Sequence, residues 1–413
     1  MIEIGIDVSK GKSTVAIINS EGELILRPTE FQHNQSSLQK LIDLINSFKD
    51  DHRIVMEATG HFHYPILNRL NQEGFFLHVV NLYLMKKYSD NEIRKGKTDK
   101  KDSIKIAKYA LEKCFTMKRY EAVDMKYDEL RFLSRQYNQM ISMKVKSKVQ
   151  LSNLLDEIIP GIRKLFLTSS ISPEDNRLYS FIEEFEHFDL INMMGEKRFI
   201  SKYLKWVKKV GYRNGAKKST AIYELAHNSI PTRPHDSTTC LAVAQCLSVL
   251  RQNEIACNEI ISQMQSVAYT LPEYATVRAM KGVGDKLAPR LIAEIGDIRR
   301  FYNAKALNAY AGNDAPPYQS GQFEGTRRHI SKRGSTSLRK AGYEVMKCLK
   351  TTKPTEDNAV YLFMLKKEAE GKPKNVAKMA ALNKFLRIYL CKSNGALLSL
   401  EPYLHNMTFM LQF

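Results

Sequence analysis

The sequence lacks the features that mark membrane and secreted proteins. No apolar run approaches the roughly 18 residues that a membrane span needs, and the start of the chain carries no signal-peptide pattern. Six cysteines are present, but they stand in no CxxC or Cys/His spacing, so neither a zinc site nor a disulfide framework is indicated. We therefore expect a soluble cytoplasmic protein whose cysteines are reduced core residues.

Acidic residues are scarce relative to basic ones. The chain holds 63 Lys and Arg against 44 Asp and Glu, which gives a net charge of +19. Such a surplus favours contacts with phosphate backbones, because bound Lys and Arg side chains release condensed counterions. Nucleic acid is the first partner to consider, and a basic protein without a polyanionic ligand is the alternative. With 413 residues the chain is long enough for two or three folding units.

Residues 1–112 alternate between strand and helix patterns. They begin with a β-hairpin, and the elements then follow in the order β-β-β-α-β-α-β, which suits an RNase H-like sheet. Asp7 lies among apolar residues of the first strand, where a carboxylate is costly to desolvate unless a positive charge such as a metal ion meets it. Glu57 lies at the carboxyl end of a later strand, where open α/β sheets place ligand groups.

Two further acids, Asp99 and Asp102, open a predicted helix. They are three residues apart, so in a helix they share one face and can converge on one point. The alternative is a solvated charge cluster that begins a helix, with Thr98 as its N-cap. Together with Asp7 and Glu57 they form a D-E-D-D set. Their carboxylate oxygens suit one or two Mg²⁺ (or Mn²⁺) ions that bind scissile phosphate oxygens.

The middle of the chain has a helical pattern. Two apolar stripes, over residues 130–158 and 247–268, predict two long helices, the first of which ends at Pro160. Their separation of about 80 residues favours an antiparallel or an intermolecular coiled coil. An ordinary helical-bundle core is the alternative, because both stripes carry polar breaks. Residues 163–235 are basic in places and indicate no function.

A second basic region spans residues 276–350. Residues 280–284 and the helix after them resemble a helix-hairpin-helix element, whose turn amides contact phosphates; a simple helix cap is the alternative.

Ser320 lies in a glycine-flanked loop before basic residues that would bind a phosphate and favour attack by serine; a turn residue is the alternative. The candidate nucleic-acid contacts are glycines and basic residues of this region and of the 97–101 segment: Lys97, Lys100, Lys101, Lys281, Gly282, Gly284, Arg327, Arg328, Lys332, Arg333 and Arg339.

Several motifs resemble those of the DEDD insertion-sequence transposases, the group that includes the Piv DNA invertase. They are GIDVSK, EATG and KTDKKD in the first 110 residues, and KGVG, AEIGDI, AYAG, YQSG and ISKRGS further on. The resemblance implies a RuvC-like N-terminal domain in which Asp7, Glu57, Asp99 and Asp102 bind the metal. It also implies a C-terminal domain in which Ser320 is the nucleophile that forms a covalent link to DNA.

The same resemblance implies partners. Members of this group are similar in working as oligomers, in which the acidic domain of one protomer meets the serine domain of another. They are also similar in using a structured bridge RNA to choose donor and target DNA. For this chain the resemblance therefore implies DNA, a guide RNA and a dimer or tetramer, in the cytoplasm of a prokaryote at the nucleoid.

We therefore predict an α/β plus α protein with a RuvC-like DEDD domain over residues 1–115, a helical coiled-coil region over 116–272 and a C-terminal transposase domain with the serine motif over 273–413. The predicted function is that of a transposase or recombinase that cuts and rejoins DNA through metal-bound acids and a phosphoserine intermediate. A RuvC-like Mg²⁺-dependent nuclease, which needs the four acids but not Ser320, is one alternative. A nucleic-acid-binding protein with a degenerate RNase H-like domain is the other.

Overall fold

The protein folds as two compact units, Met1–Ala122 and Val123–Phe413, which we call the N-terminal unit and the C-terminal unit. The structure is a computed structural model that describes residues 1–89, 98–122, 124–166, 177–212, 215–317, 319–320, 323–324, 329–354 and 358–398. Within these ranges, every helix is too short or too polar to span a lipid bilayer.

The N-terminal unit is built on a five-stranded mixed sheet of order β3-β2-β1-β4-β5. Its strands are β1 (Ile2–Ser9), β2 (Lys12–Ile18), β3 (Leu24–Gln32), β4 (His52–Glu57) and β5 (Leu77–Val80). Its helices are α1 (Gln35–Asn46), α2 (Tyr64–Gln72), α3 (Leu82–Ser89) and α4 (Asp99–Lys113). Strands β1 to β3 are antiparallel, whereas β4 and β5 run parallel to β1. The predicted order of strands and helices and the α/β class are confirmed.

Strand β3 is longer than the sequence pattern indicates. The apolar run covers only residues 24–26, and Pro28 follows it, which usually ends a strand. In the structure β3 continues to Gln32 past a bulge opposite Val15 and Ile17. A proline is tolerated there because β3 is an edge strand, where the missing N–H breaks no inner ladder.

Residues of each strand alternate between the two faces of the sheet. Ile4 and Ile6 face a large core that α1 and α2 cover. The odd-numbered residues of β1 face the other way, toward α4, where Val55 packs with Ile106 and Ala110. The position of an acid in a strand therefore decides which helix it meets.

The segment after α4 returns to the sheet edge. The Tyr120 amide donates to the Leu77 carbonyl at 2.6 Å, and the Arg119 guanidinium donates to the Gly74 carbonyl at 2.7 Å. These contacts tie the segment to β5, so the compact unit includes it and ends at Ala122. The domain boundaries at 115 and 272 stay predictions.

The C-terminal unit is mostly helical. Its helices are α5 (Met125–Ile158), α6 (Ile162–Phe166), α7 (Arg177–Phe185), α8 (Phe188–Met194), α9 (Glu196–Lys209), α10 (Ala216–Asn228), α11 (Ser237–Tyr269), α12 (Tyr274–Arg278), α13 (Leu287–Ile295), α14 (Ala304–Tyr310), α15 (Thr336–Thr352), α16 (Ala359–Ala369) and α17 (Lys374–Leu398). A 3₁₀ turn covers Ile298–Arg300, and a two-stranded ribbon pairs β6 (Gln319–Ser320) with β7 (Phe323–Glu324).

Helices α5 and α11 pack against each other in antiparallel orientation. This antiparallel pairing within one chain agrees with one of the arrangements that the apolar stripes predict, and coiled-coil packing itself stays a prediction. The polar breaks of the stripes meet at its centre, where the Asn253 amide donates to Ser147 Oγ at 3.3 Å and Lys144 Nζ lies 3.0 Å from Glu254 Oε1. A buried polar pair of this kind is satisfied in one register only, so it fixes the alignment of the two helices.

The apolar side chains that the structure describes in the C-terminal unit form two cores. The first core joins α12 to α17 with one end of the α5–α11 pair. The second core joins α6 to α10 with the other end of that pair. Trp206 lies in the second core against Phe181 and Phe185. The described part of residues 163–235, which indicated no function, therefore forms a helical subdomain around aromatic side chains.

Candidate active site

Two of the predicted acids lie side by side at the carboxyl edge of the sheet. Strands β1 and β4 are parallel neighbours that pair Ile6 with Met56, so Asp7 and Glu57 follow at the same level. Both have odd numbers in strands whose odd-numbered residues face α4. Both side chains are half-buried. The sheet therefore presents two carboxylates on one face at one edge.

Helix α4 begins at this same edge. The Asp99 carboxylate interacts electrostatically with Lys12, which pairs with Ser9 at the carboxyl end of β1. At the other end of the helix, Leu111 Cδ2 lies 4.0 Å from where a Cβ on Gly22 would be, beside the opposite edge of the sheet. Helix α4 thus runs antiparallel to β1 and brings its first turn to the edge that carries Asp7.

The two helical acids lie on the side of α4 that meets the sheet. Ser103 and Ile106 are buried on that side, and Asp99 and Asp102 precede them by four residues, which is about one turn. Asp102 is half-buried and Asp99 is exposed. Thr98 caps the helix through its side chain, as predicted. The alternative that this charge cluster begins a helix is thus also realised. All four acids nevertheless lie at the same edge of the N-terminal sheet.

Gly5 allows α4 to lie directly against β1. A Cβ at this position would lie 2.3 Å from both the Ala107 nitrogen and the Ser103 oxygen, and these are backbone atoms that cannot rotate away. We did not predict this role. A glycine inside a strand often marks the close approach of another backbone, so the signal was present in the sequence.

The acids at the carboxyl edge are less buried than Glu3, another acid on the same face of the sheet. Glu3 is fully buried, and its burial raises the pKa of its carboxyl group, while the Arg53 guanidinium 3.7 Å away partly offsets this shift. Asp7, Glu57 and Asp102 are instead half-buried at the carboxyl edge of the sheet. A set of partly accessible carboxylate oxygens fits the donor preference of Mg²⁺ and Mn²⁺, which keep several water ligands.

The structure places Ser320 in β6, where its backbone pairs with Phe323 of β7. It is therefore a strand residue of a short antiparallel ribbon. Four predicted positions or neighbours lie outside the described residues: Lys97, Gly321, Arg327 and Arg328. Lys100, Lys101, Lys332 and Arg333 are described and exposed.

The two ends of the segment that carries the hairpin are held together. The Ser331 amide donates to the Asp314 carbonyl at 2.7 Å, and the Lys332 amide donates to the Gly312 carbonyl at 3.0 Å. At Gly312, which has a positive φ of 62°, a Cβ would lie 3.0 Å from the backbone nitrogen of Gly334. Glycine at positions 312 and 334 therefore lets the two ends of this segment approach so closely.

Arg339 has a structural role at this loop. Its Nη1 donates to the Ala311 carbonyl at 2.8 Å and to the Gly334 carbonyl at 3.2 Å, so it clamps the two ends of the segment. These contacts occupy guanidinium N–H groups that would otherwise be available to donate to a phosphate. Contact between Arg339 and nucleic acid stays a prediction, and positioning of the serine loop is the role that the geometry supports.

Glu294 is a buried centre of hydrogen bonds beneath the same loop. Its carboxylate is 1% exposed and accepts from Ser134 Oγ at 3.0 Å, Arg135 Nη2 at 3.0 Å and Ser335 Oγ at 3.2 Å. Ser335 is also the N-cap of α15. We did not predict this role, although an acid inside the apolar pattern of α13 was the signal, because a buried charge needs partners.

Glu294→Ala is expected to destabilise the protein by about 2–3 kcal/mol, because it leaves the buried Ser134 hydroxyl without its acceptor and removes the acceptor of the partly exposed Ser335 and Arg135 donors. The measurement is urea unfolding followed by circular dichroism. Glu259→Ala, at an exposed position of α11, is the matched control and is expected to be neutral. Equal midpoints for the two variants would show that the hydrogen bonds of Glu294 contribute nothing to stability.

The segment predicted to resemble a helix-hairpin-helix contains α12, a turn and α13, and its assignment to that motif stays a prediction. Gly282 lies four residues after Arg278, the last residue of α12, so it does not cap that helix. Its φ is +83°, and a Cβ there would lie 2.7 Å from Leu349 Cγ, so glycine is required by both conformation and space. Lys281 and Gly284 are exposed at this turn. Their contact with phosphates stays a prediction.

Comparison with known proteins places the chain in a family. Residues 4–160 match a transposase model of the DEDD, IS110 type, and residues 274–361 match a model described as transposase of the IS116/IS110/IS902 family. Together the two matches cover more than half of the chain. The chain belongs to the IS110 family of DEDD transposases. The first match contains the four acids, and the second contains Ser320.

A curated relative of this IS110-family transposase is the insertion element IS116 uncharacterized 44.8 kDa protein of Streptomyces clavuligerus. The two are 22% identical over 375 residues, which cover 90% of this chain and 89% of the relative. Among solved structures, RuvC of T. thermophilus in complex with a Holliday junction substrate overlaps 29% of this chain and 100% of its own, with 12% identity and a TM-score of 0.23. The fold of the N-terminal unit is assigned from the order of its strands.

Proposed function

We propose that this IS110-family transposase cuts and rejoins DNA at the ends of its insertion element by a metal-assisted serine mechanism. The observation that carries the proposal is the placement of Asp7, Glu57, Asp99 and Asp102 at one edge of the N-terminal sheet. An RNase H-like domain with four acids at the carboxyl edge of its first strand suits phosphoryl transfer.

The four carboxylates would hold Mg²⁺ or Mn²⁺. The ion, when bound, neutralises charge on the scissile phosphate. The protein contributes the arrangement of the ligands: the β1–β4 register sets Asp7 beside Glu57, and Gly5 lets α4 bring Asp99 and Asp102 to the same edge. The exposed Lys100 and Lys101 in the first turn of α4 would bind neighbouring phosphates.

Ser320 would supply the nucleophile. Its hydroxyl loses its proton as the Oγ–phosphorus bond forms, the bond from phosphorus to one ribose oxygen breaks, and that oxygen takes up a proton. The energy of the broken DNA phosphodiester bond is conserved in the phosphoserine bond. A second DNA end can therefore reverse the step and rejoin the strand. Lys332 and Arg333, on the return of the loop, would contact the phosphate backbone.

The partners proposed are donor and target DNA, a structured bridge RNA and further copies of the chain, in a prokaryotic cell at the nucleoid. The net charge of +19 supports nucleic-acid partners. Exposed apolar side chains along the α5–α11 pair support an oligomer, either a dimer or a tetramer, because burial of such side chains at an interface has a favourable free energy. They are Phe132 (62% exposed), Val145 (55%), Val149 (56%), Leu241 (61%), Val249 (49%) and Ile255 (49%).

Ser320→Ala is expected to abolish a covalent protein–DNA adduct that the unmodified protein forms, because alanine has no nucleophile. The assay combines the protein, Mg²⁺, its co-expressed RNA and labelled element-end DNA, followed by a denaturing gel. Ser262→Ala, at an exposed serine of α11, is the matched control and should retain the adduct.

Asp102→Asn should lose the adduct as well, because the metal would lack a ligand. Free cleaved DNA without an adduct, at the same level in Ser320→Ala, would instead identify a metal-dependent nuclease. Unchanged DNA binding without any cleavage by the unmodified protein would indicate a binding protein with a degenerate domain.

A further inference from the structure

Three metal-ligating side chains meet at the edge of the second core, far along the chain from the acids described above. His235 Nε2 lies 3.2 Å from Glu186 Oε2 and 3.2 Å from Cys240 Sγ, and Cys240 Sγ lies 3.9 Å from the same Glu186 oxygen. The three ligand atoms are all within 4.8 Å of one another. One imidazole nitrogen, one thiol and one carboxylate therefore converge on a common point.

These distances match those of a tetrahedral zinc site. Zinc binds nitrogen, oxygen and sulfur at about 2.0–2.3 Å, which sets neighbouring ligand atoms of a tetrahedron about 3.3–3.6 Å apart. The three observed separations, 3.2, 3.2 and 3.9 Å, bracket this spacing. The mixed nitrogen, sulfur and oxygen set also suits Zn²⁺ rather than Mg²⁺, which prefers oxygen ligands alone.

The elements around the cluster hold its ligands in place. Glu186 has a left-handed backbone with φ of 52°, a conformation that a residue other than glycine adopts at a cost. The next residue, His187, is 1% exposed; its Nδ1 accepts from the Asp189 amide at 3.0 Å and its Nε2 donates to the Arg233 carbonyl at 2.9 Å. His187 therefore ties the end of α7 to the loop that carries His235.

Helix α11 fixes the third ligand. Asp236 caps this helix by accepting from the Thr239 amide at 2.7 Å, and Cys240 follows in the first turn. His235 precedes the cap directly. The loop and the first turn of one helix thus supply two ligands, and the end of α7 supplies the third.

A cavity of about 450 Å³ opens beside the three ligands. Ile182, Val243 and Leu247 form much of its apolar wall, and a bidentate ion pair between Arg251 and Glu183, at 2.8 and 2.7 Å, lies at its rim. A metal held by three side chains would keep its fourth position toward this space. Three protein ligands with one position open to water is the arrangement of zinc sites that accept a further ligand.

We propose that Glu186, His235 and Cys240 bind one Zn²⁺ ion, with water as the fourth ligand on the cavity side. The site links the end of α7 to the start of α11 within the C-terminal unit. The cysteine pattern did not indicate a zinc site, because the ligands are spread along the chain: Glu186 precedes His235 by 49 residues. Cys240 is also only partly buried, so the expectation that all cysteines are core residues holds for Cys246 and Cys257, which are buried, and for Cys348, which packs against the first core.

Cobalt titration of the full chain, freed of metal by a chelator, tests this site. One equivalent of Co²⁺ is expected to give a sulfur-to-cobalt charge-transfer band and the strong visible bands of tetrahedral cobalt, and Zn²⁺ should displace both. The acids of the N-terminal unit cannot give this spectrum, because they offer only oxygen ligands. The readout is independent of strand cleavage.

Matched variants assign the spectrum. Cys240→Ser should remove the charge-transfer band, and His235→Gln should weaken Zn²⁺ binding by more than the roughly 100-fold that loss of an outer partner costs. Cys391→Ser, at an exposed cysteine of α17, should leave the spectrum unchanged. Circular dichroism checks that each variant is folded. The proposal is wrong if the unmodified protein gives no sulfur-to-cobalt band, or if a folded Cys240→Ser variant keeps it.

Discussion

Asp7→Asn is expected to lower DNA strand cleavage by at least about 10³-fold while the protein stays folded. Asparagine keeps the shape of the side chain but removes the charge, so the proposed metal site would lose one anionic ligand at the carboxyl edge of β1. The loss should be large because Asp7 is at the centre of the set, with Glu57 on the neighbouring strand and the first turn of α4 above. Single-turnover cleavage of labelled element-end DNA in saturating Mg²⁺ measures it.

Asp50→Asn is the matched control for this change, because Asp50 is an exposed aspartate of the same unit that lies outside the site. It should cleave DNA at the rate of the unmodified protein. If Asp7→Asn kept most of the activity at saturating Mg²⁺, the metal-binding role of the four acids would be refuted.

Gly5→Ala is expected to destabilise the N-terminal unit by about 3 kcal/mol or more and to abolish cleavage with it. The new methyl group would lie 2.3 Å from backbone atoms of Ser103 and Ala107, so α4 must move away from β1 as a body. That movement withdraws Asp99 and Asp102 from the sheet edge. Thermal unfolding and strand cleavage, measured on the same preparation, test both effects.

Gly395→Ala provides the comparison. This glycine lies within α17, and a Cβ there would meet nothing within 4 Å. Replacement by alanine should be neutral or stabilise the helix by up to about 1 kcal/mol. Equal stability of Gly5→Ala and the unmodified protein would mean that α4 does not lie as close to β1 as the structure has it.

Much of the N-terminal unit could be predicted because its signals are local. The alternation of apolar residues identifies β1 and β4, and the position of Asp7 and Glu57 within them decides which face each carboxylate takes. Thr98, as an N-cap residue, predicts the start of α4, and the three-residue spacing of Asp99 and Asp102 places them on one face of the helix. The one element predicted too short, β3, failed because Pro28 ends most strands but not an edge strand with a bulge.

The unpredicted residues share a different property: each acts through partners distant in the chain. Gly5 matters because of the backbone at Ser103, about 100 residues later, and Glu294 because of Ser134, which is 160 residues away. His235 and Glu186 likewise converge only after folding. A pattern read over a window of one helix or strand carries no information about such pairs, since tertiary packing alone brings them together.

The polar layer between α5 and α11 also limits how the length of this protein can change. One residue added to either helix would rotate all following side chains by about 100°, so those that fill one core would turn to solvent. A whole heptad added to one helix alone would restore the faces but would move Asn253 away from Ser147. Growth or shortening of the unit therefore requires matched seven-residue steps in both helices, 34 and 33 residues long, which the chain separates by the entire second-core subdomain.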